Sequence, residues 1–229
     1  PLADICGVPM IVRVWRRAVQ AGLGPVVVAA AEDEIVTAVK AAGGEAVPTD
    51  PNLPSGSDRI FAALKTMGGV HDVVVNLQGD LPAVDPDILR DAADALAMTG
   101  ADISTLAAEI PEGDPLAVNP NATKAVVAWN GNGRGDIGRA LYFTRADAPH
   151  GPGSRWFHIG IYVYRSAALE KFVSLPPSPL ERREKLEQLR ALEAGMTVAV
   201  AKAQEIPLSI DTPEDLAHAR DVIAKGEGK

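Results

Sequence analysis

Val73-Val74-Val75-Asn76-Leu77-Gln78-Gly79-Asp80 is the stretch that decides the fold. Its run 73–77, apolar but for Asn76, reads as a buried strand of the kind found in a parallel sheet covered by helices. Pro25-Val26-Val27-Val28-Ala29-Ala30 has the same character. Amphipathic helices are predicted around these runs. The first has Pro9 at its first helical position, then Met10, Ile11, Val14, Trp15 and Ala18, and ends near Gly22. Others cover 32–42, stopped by Gly43-Gly44, then 58–67, and 86–99, closed by Gly100. Such β/α alternation with short connections argues for an α/β protein with a helix-flanked, mainly parallel sheet.

Beyond residue 119 the texture changes. Strand-like segments at 124–129, 139–144 and 156–164 are separated by Gly- and Pro-rich turns, which points to a small antiparallel subregion. A helix at 180–194, a strand at 197–203 and a last helix at 213–225 then restore the α/β pattern. Because that pattern resumes, 1–229 reads as one domain with an antiparallel lobe embedded at about 119–165. No internal repeat is visible.

The composition, 47% hydrophobic and 23% charged over 229 residues, is that of a globular chain and speaks against disorder or coiled coil. With 22 Lys+Arg against 30 Asp+Glu the net charge is −8, and no polybasic block occurs, so nucleic acid and anionic membrane surfaces are poor partners. An anionic ligand would then need a metal cation as mediator. Cys6 is the single cysteine, which excludes an internal disulfide framework and fits a reducing cytoplasm. No apolar stretch approaches the roughly 20 residues of a membrane-spanning helix. Met10 and Ile11 precede Arg16 and Arg17, the reverse of a signal peptide, and the first residue is Pro1 rather than Met, so a segment upstream is expected.

The four histidines are scattered and form no H-E-x-x-H motif. Gly131-Asn132-Gly133-Arg134-Gly135 opens no helix pattern and reads as a flexible turn rather than a dinucleotide fingerprint. Asp85-Pro86-Asp87 begins a helix, with Asp85 as cap, so that acidic pair reads as structural. Asp80 lies at the carboxyl end of its strand, the sheet edge where ligands gather, although a turn aspartate is the plainer alternative. In Ile210-Asp211-Thr212-Pro213-Glu214-Asp215, Thr212 can cap the last helix and Asp215 can complete the capping arrangement, which leaves Asp211 without a structural task. Two carboxylates facing one cleft suit Mg²⁺, which takes one or two carboxylates plus waters and substrate phosphates. In 156–164, Phe157, Ile159, Ile161 and Val163 form an apolar face. His158, Gly160, Tyr162 and Tyr164 form the other, which suits a polar small molecule, a subunit interface or solvent. Ser55-Gly56-Ser57-Asp58-Arg59 opens a helix whose free N–H groups suit a polar ring or an anion, with Ser57 as the expected cap.

Nine pieces in order resemble one family, the bacterial 3-deoxy-manno-octulosonate (Kdo) cytidylyltransferases, or CMP-Kdo synthetases. They begin at 5–11, 55–59, 76–80, 119–124 and 140–145, and continue at 158–162, 177–181, 187–190 and 211–216. The resemblance implies a Rossmann-like nucleotidyltransferase sheet, a homodimer, and the reaction CTP plus Kdo giving CMP-Kdo and pyrophosphate for lipopolysaccharide biosynthesis. It makes Asp80 and Asp211 the catalytic metal ligands for Mg²⁺, and assigns Gln78, Arg59 and the backbone at Ser55 and Gly56 to the cytidine. For the sugar it points to Arg145, His158, Tyr162, Glu187 and Gln188. On residues alone, Glu187 and Gln188 read more simply as a solvated helix face supported by Glu181 and Lys185 at four-residue spacing. Lys124 is expected near the cleft, with its anion unassigned.

Two departures from the family pattern matter. Family members begin with a strand and a triphosphate loop ending in Pro-Leu, and these 229 residues start at what look like its last two, Pro1 and Leu2. Leu81 stands where the family usually has Glu, which puts any supporting role of that carboxylate in doubt. The segment 130–138 looks longer than usual and reads as a surface loop. The rivals are a cytidylyltransferase for another acid sugar, such as an 8-amino relative of Kdo or a sialic acid, and a non-catalytic nucleotide-binding module.

Overall fold

The computed structural model describes residues 1–129 and 137–227; the glycine-rich turn and most of the expected surface loop lie outside them. The elements in chain order are β1 (Asp4–Ile5), β2 (Val8–Pro9), α1 (Met10–Ala21), β3 (Val27–Ala30), α2 (Asp33–Ala41), β4 (Glu45–Pro48) and α3 (Gly56–Met67). Then come β5 (Val73–Asn76), α4 (Pro86–Thr99), β6 (Ile103–Ile110), β7 (Lys124–Trp129), β8 (Ile137–Thr144) and β9 (Arg155–Arg165). The chain closes with α5 (Ser166–Ser174), α6 (Pro179–Glu184), α7 (Leu189–Glu193), β10 (Val198–Ala203) and α8 (Pro213–Glu227). No helix among the described residues is long and apolar enough to cross a membrane.

Two compact units emerge. The first comprises 1–70, 77–90 and 207–229, and the second 71–76 and 91–206. In the first unit β3 pairs parallel with β4, and α1 and α2 bury Ile11, Val12, Ile35, Val36 and Val39 beside it. β3 itself is mostly half-buried. Gly44 is needed there, because a Cβ would stand 2.8 Å from both Trp15 Cε2 and Val39 Cγ1. Gly22 ends α1 in the left-handed conformation, as expected of a helix-closing glycine. A second small core joins Ile5, Met10 and Ile223, with Ala83, Ile210 and Leu216 against it.

The second unit holds one sheet in the order β5-β9-β6-β10-β8-β7, and β7 also touches β9. The α/β class stands, but parallel pairing is less extensive than the alternation of buried strands suggests. Among the described residues only β6–β10 and β3–β4 pair parallel, because β9 inserts antiparallel between β5 and β6. β7 and β8 continue the same sheet beyond β10. The strand at its centre, β6, gives no clear sequence signal. Ser104 and Thr105 interrupt its apolar pattern, yet both are fully buried because their hydroxyls are satisfied, Ser104 Oγ by Ala92 O at 2.5 Å. β4 and α5 likewise have no counterpart in the reading of the sequence.

The predicted helix 180–194 is two helices. Lys185 takes φ 60, ending α6, and α7 starts only after Gln188. The break lets Arg190 reach back to Glu181, with Nη2–Oε1 2.5 Å and Nε–Oε2 2.9 Å, in a nearly buried bidentate pair. Glu181 therefore supports Arg190, not Lys185.

Candidate active site

Four residues beyond β5, the carbonyl of Asp80 accepts a hydrogen bond from Ile210 N–H at 3.0 Å. This brings the entry to α8 alongside Asp80. Thr212 Oγ1 receives Asp215 N–H at 3.2 Å, while Asp215 Oδ2 receives the N–H groups of Asp211 and Thr212 at 3.1 and 2.9 Å. The capping arrangement is thus complete without the Asp211 side chain, which forms no hydrogen bond to described residues and stays exposed. Asp80 Oδ1 is buried and also lacks a hydrogen-bond partner. Desolvation is the largest influence on the Asp80 carboxyl and moves its pKa upward; its own backbone N–H opposes this, and the charge of Asp211 adds to it. A buried carboxylate oxygen with no donor, next to a second carboxylate, is an arrangement that a cation would relieve. No group of three or more His, Cys, Asp or Glu among the described residues is set to hold a metal, so other ligands would have to come from water or substrate. Leu81 is 6% exposed, so the position where the family usually carries Glu is used for packing.

Ser55, not Ser57, caps α3. Its Oγ accepts from Asp58 N–H at 3.2 Å and donates to Asp58 Oδ2 at 2.6 Å, while Ser57 is buried. A Cβ on Gly56 would lie 3.7 Å from Gln78 Nε2 and 3.9 Å from Oε1, so the helix start and the Gln78 amide face each other. Arg59 is half-buried and tied by Nη1 to Thr49 Oγ1 at 2.6 Å and to Asp50 O at 3.4 Å, which fixes the loop before α3. The Asp85 pair is structural as expected, with Asp87 N–H on Asp85 Oδ1 at 2.9 Å and Asp87 paired with Arg90.

In the second unit the face opposite the apolar core of β9 carries a run of rings. Phe143 and His158 lie 4.7 Å apart between centroids, His158 and Tyr162 5.5 Å, Tyr162 and Tyr164 5.9 Å, and Tyr164 and Phe172 5.9 Å. His158 is 6% exposed, and burial holds its pKa down to about 3, so the ring is neutral. Burial first, then the neighbouring charges of Tyr164 and Glu187, keeps the Tyr162 phenol far above its ordinary value. Glu187 therefore stands close to Tyr162, in the turn between α6 and α7, and Gln188 beside it is buried. Neither lies on a solvated helix face. No heavy atom lies within 4 Å of where a Gly160 Cβ would stand, so the space predicted beside that glycine exists.

Arg145 donates from Nε to Glu184 O at 3.0 Å and from Nη1 to Pro120 O at 3.2 Å, and Nη2 has no partner among the described residues. Lys124 is fully buried, and its Nζ donates to Asn119 O, Ala122 O and Arg145 O at 2.9, 2.6 and 2.8 Å. All three donors are used on backbone carbonyls. It fixes the backbone that carries Arg145. The residues that reading the sequence missed are these supports: Thr105, Glu184, whose carboxylate receives Thr144 Oγ1 at 2.8 Å and Arg145 N–H at 3.0 Å, and Arg190.

The family model described as cytidylyltransferase matches residues 1–200. A relative in Parvibaculum lavamentivorans, a 3-deoxy-manno-octulosonate cytidylyltransferase, is 60% identical over 98% of this chain and 86% of its own length. One of the same description in Rhodospirillum rubrum is 57% identical over 97% and 88%. The chain belongs to the 3-deoxy-manno-octulosonate cytidylyltransferase family. Among solved structures, CMP:2-keto-3-deoxy-manno-octonic acid synthetase complexed with CTP superposes with a TM-score of 0.89 at 33% identity, covering 99% of this chain and 92% of that one. As a member of the cytidylyltransferase family the chain is a nucleotidyltransferase enzyme. Its candidate residues divide by unit: Ser55, Gly56, Arg59, Gln78, Asp80 and Asp211 fall in the first, and Arg145, His158, Tyr162, Glu187 and Gln188 in the second.

Proposed function

We propose that this enzyme transfers CMP from CTP to Kdo, releasing pyrophosphate, as a cytoplasmic step that activates the sugar for lipopolysaccharide biosynthesis. The anomeric hydroxyl of the sugar attacks the α-phosphorus, and the bond from that phosphorus to the leaving pyrophosphate breaks. The observation that carries this reading is the pair formed by Asp80 and Asp211. The Ile210–Asp80 hydrogen bond sets the two together, and Asp80 Oδ1 is buried without a donor. They would hold Mg²⁺, which when bound neutralises charge on the phosphates and on the leaving group. The remaining residues bind and orient. Gln78 and the start of α3 at Ser55 and Gly56 read the cytidine, with Arg59 holding the adjoining loop. Arg145, already fixed by two carbonyls, offers its outer N–H groups to the sugar carboxylate. Neutral His158, protonated Tyr162, Glu187 and Gln188 read hydroxyls. Positioning and electrostatics supply most of such catalysis, and no protein nucleophile is required.

We read the two units as parts of one nucleotidyltransferase domain, since α4 runs from one into the other, and the active form as a homodimer. The test is pyrophosphate release with CTP, Mg²⁺ and a panel of acid sugars: Kdo, its 8-amino relative and a sialic acid. Turnover selective for Kdo is expected. Preference for another sugar would reassign the substrate, and no release with any sugar, despite CTP binding, would leave a nucleotide-binding module.

A further inference from the structure

We propose that Thr105 is a positioning residue that fixes His158 as the Nε2–H tautomer, so that Nδ1 is presented as a bare acceptor to a hydroxyl of the sugar. The proposal rests on the reading of His158 as part of the sugar site. Its geometry comes from an irregularity in the sheet. Ser104 on β6 faces Val163 on β9, whereas Leu106 faces Ile159, so β9 spends two extra residues opposite Thr105. Bulges of this kind re-aim side chains and recur next to ligand sites. Thr105, fully buried, fills the irregularity. Its Oγ1 lies 3.1 Å from Ile159 O, 2.8 Å from Ile161 O and 3.0 Å from His158 Nε2.

A hydroxyl has one hydrogen to give, and carbonyl oxygens only accept. Were that hydrogen spent on Nε2, two carbonyl oxygens would face the lone pairs of Oγ1 at 2.8 and 3.1 Å with no proton between them. The hydroxyl therefore donates to the carbonyls, and Nε2–H must donate to Oγ1. Burial keeps the imidazole neutral, with one N–H only, and Thr105 takes it. Nδ1 makes no hydrogen bond to any described residue. A ring held this way accepts from a donor and cannot donate to the sugar carboxylate, which leaves the carboxylate to Arg145. Gly160, two residues along the strand with open space beside it, leaves room for a ligand.

The experiment is long-range ¹H–¹⁵N NMR of the full chain with ¹⁵N-labelled histidine at neutral pH, His158 being assigned by its loss in His158→Gln. A protonated-type Nε2 and an unprotonated-type Nδ1 are expected, and the opposite pattern or a doubly protonated ring overturns the proposal. Thr105→Ser should keep the tautomer and the sugar KM. Thr105→Val should move the ring toward the Nδ1–H form and raise the sugar KM by about tenfold, with the CTP KM unchanged. If the tautomer shifts while the sugar KM does not, the lock stands but the sugar role of His158, and with it the proposed function of Thr105, is overturned. Should Thr105→Val not fold, the parent spectrum and Thr105→Ser still decide the question.

Discussion

The acidic pair of the first unit and the basic side chains of the second are treated in opposite ways. In the first, Thr212 and Asp215 cap α8 between themselves and leave the Asp211 carboxylate uncommitted, while Asp80 Oδ1 is buried with nothing to accept from. In the second, the basic side chains spend donors on the protein itself. Lys124 spends three donors on carbonyls, Arg145 is pinned by Glu184 and Pro120, and Arg190 grips Glu181. The difference matches the two ligands proposed. A cation with its phosphates needs uncommitted negative charge, whereas a sugar is read by groups whose positions are already fixed.

The sharpest way to break the contrast is to remove the uncommitted charge. Asp80→Asn and Asp211→Asn should each lower pyrophosphate release by about a thousandfold. Neither should unfold the protein. Asp80 has its native pKa raised, so its charged form opposes folding once pH rises above the unfolded value, and Asp80→Asn should melt at the same or a higher temperature. Activity near the parent level in either variant would remove the metal assignment.

Lys124→Met tests the opposite character of the second unit. Asn119 O keeps the Ala122 N–H at 3.1 Å, but Ala122 O and Arg145 O lose the Lys124 donor, and a stability loss of about 2–4 kcal/mol is expected in denaturant titration, because each buried unpaired group costs about 1–3 kcal/mol, partly offset by losing a buried charge. An unchanged midpoint would show that this framework is not held as described.

His158→Ala should weaken sugar binding by about 1–3 kcal/mol in titration calorimetry, with CTP affinity retained. The same histidine sharpens the comparison through pH. Its native pKa, about 3, is below the unfolded value, so the unfolded chain binds the extra proton and stability falls as pH drops below about 6.5 toward 3. The slope from this one group is at most about 1.4 kcal/mol per pH unit. A His158→Gln protein should lose that part of the acid sensitivity, and an identical pH profile in both would contradict a buried neutral ring.

Much of the first unit was legible because its signals are local. Gly22 closing α1, the cap at Asp85 and the Thr212–Asp215 box each announce themselves within a few residues, and the box is what isolates Asp211. The second unit depends on partners far apart in sequence. β6 hides because the hydroxyls of Ser104 and Thr105 are satisfied only by Ala92 and by β9. The break at Lys185 is invisible where Glu181 and Lys185 make an ordinary helical pair and the true partner, Arg190, lies farther on. For the same reason the alternation of β9 separated its two faces without showing that the polar one is a stack of rings in which His158 and Tyr164 are buried.

The most direct test of the division between the units is a pair of KM values from one assay, pyrophosphate release with CTP and Kdo, for Gln78→Ala and Gly160→Val. Gly160 lies at the β9 irregularity, but without a positive φ and with open space beside it, so the valine should be tolerated and occupy room that the sugar needs. The account predicts that Gln78→Ala raises the KM for CTP alone and that Gly160→Val raises the KM for Kdo alone, each by about tenfold or more. Equal rises for both substrates in either variant, or an unchanged Kdo KM in Gly160→Val, would contradict it.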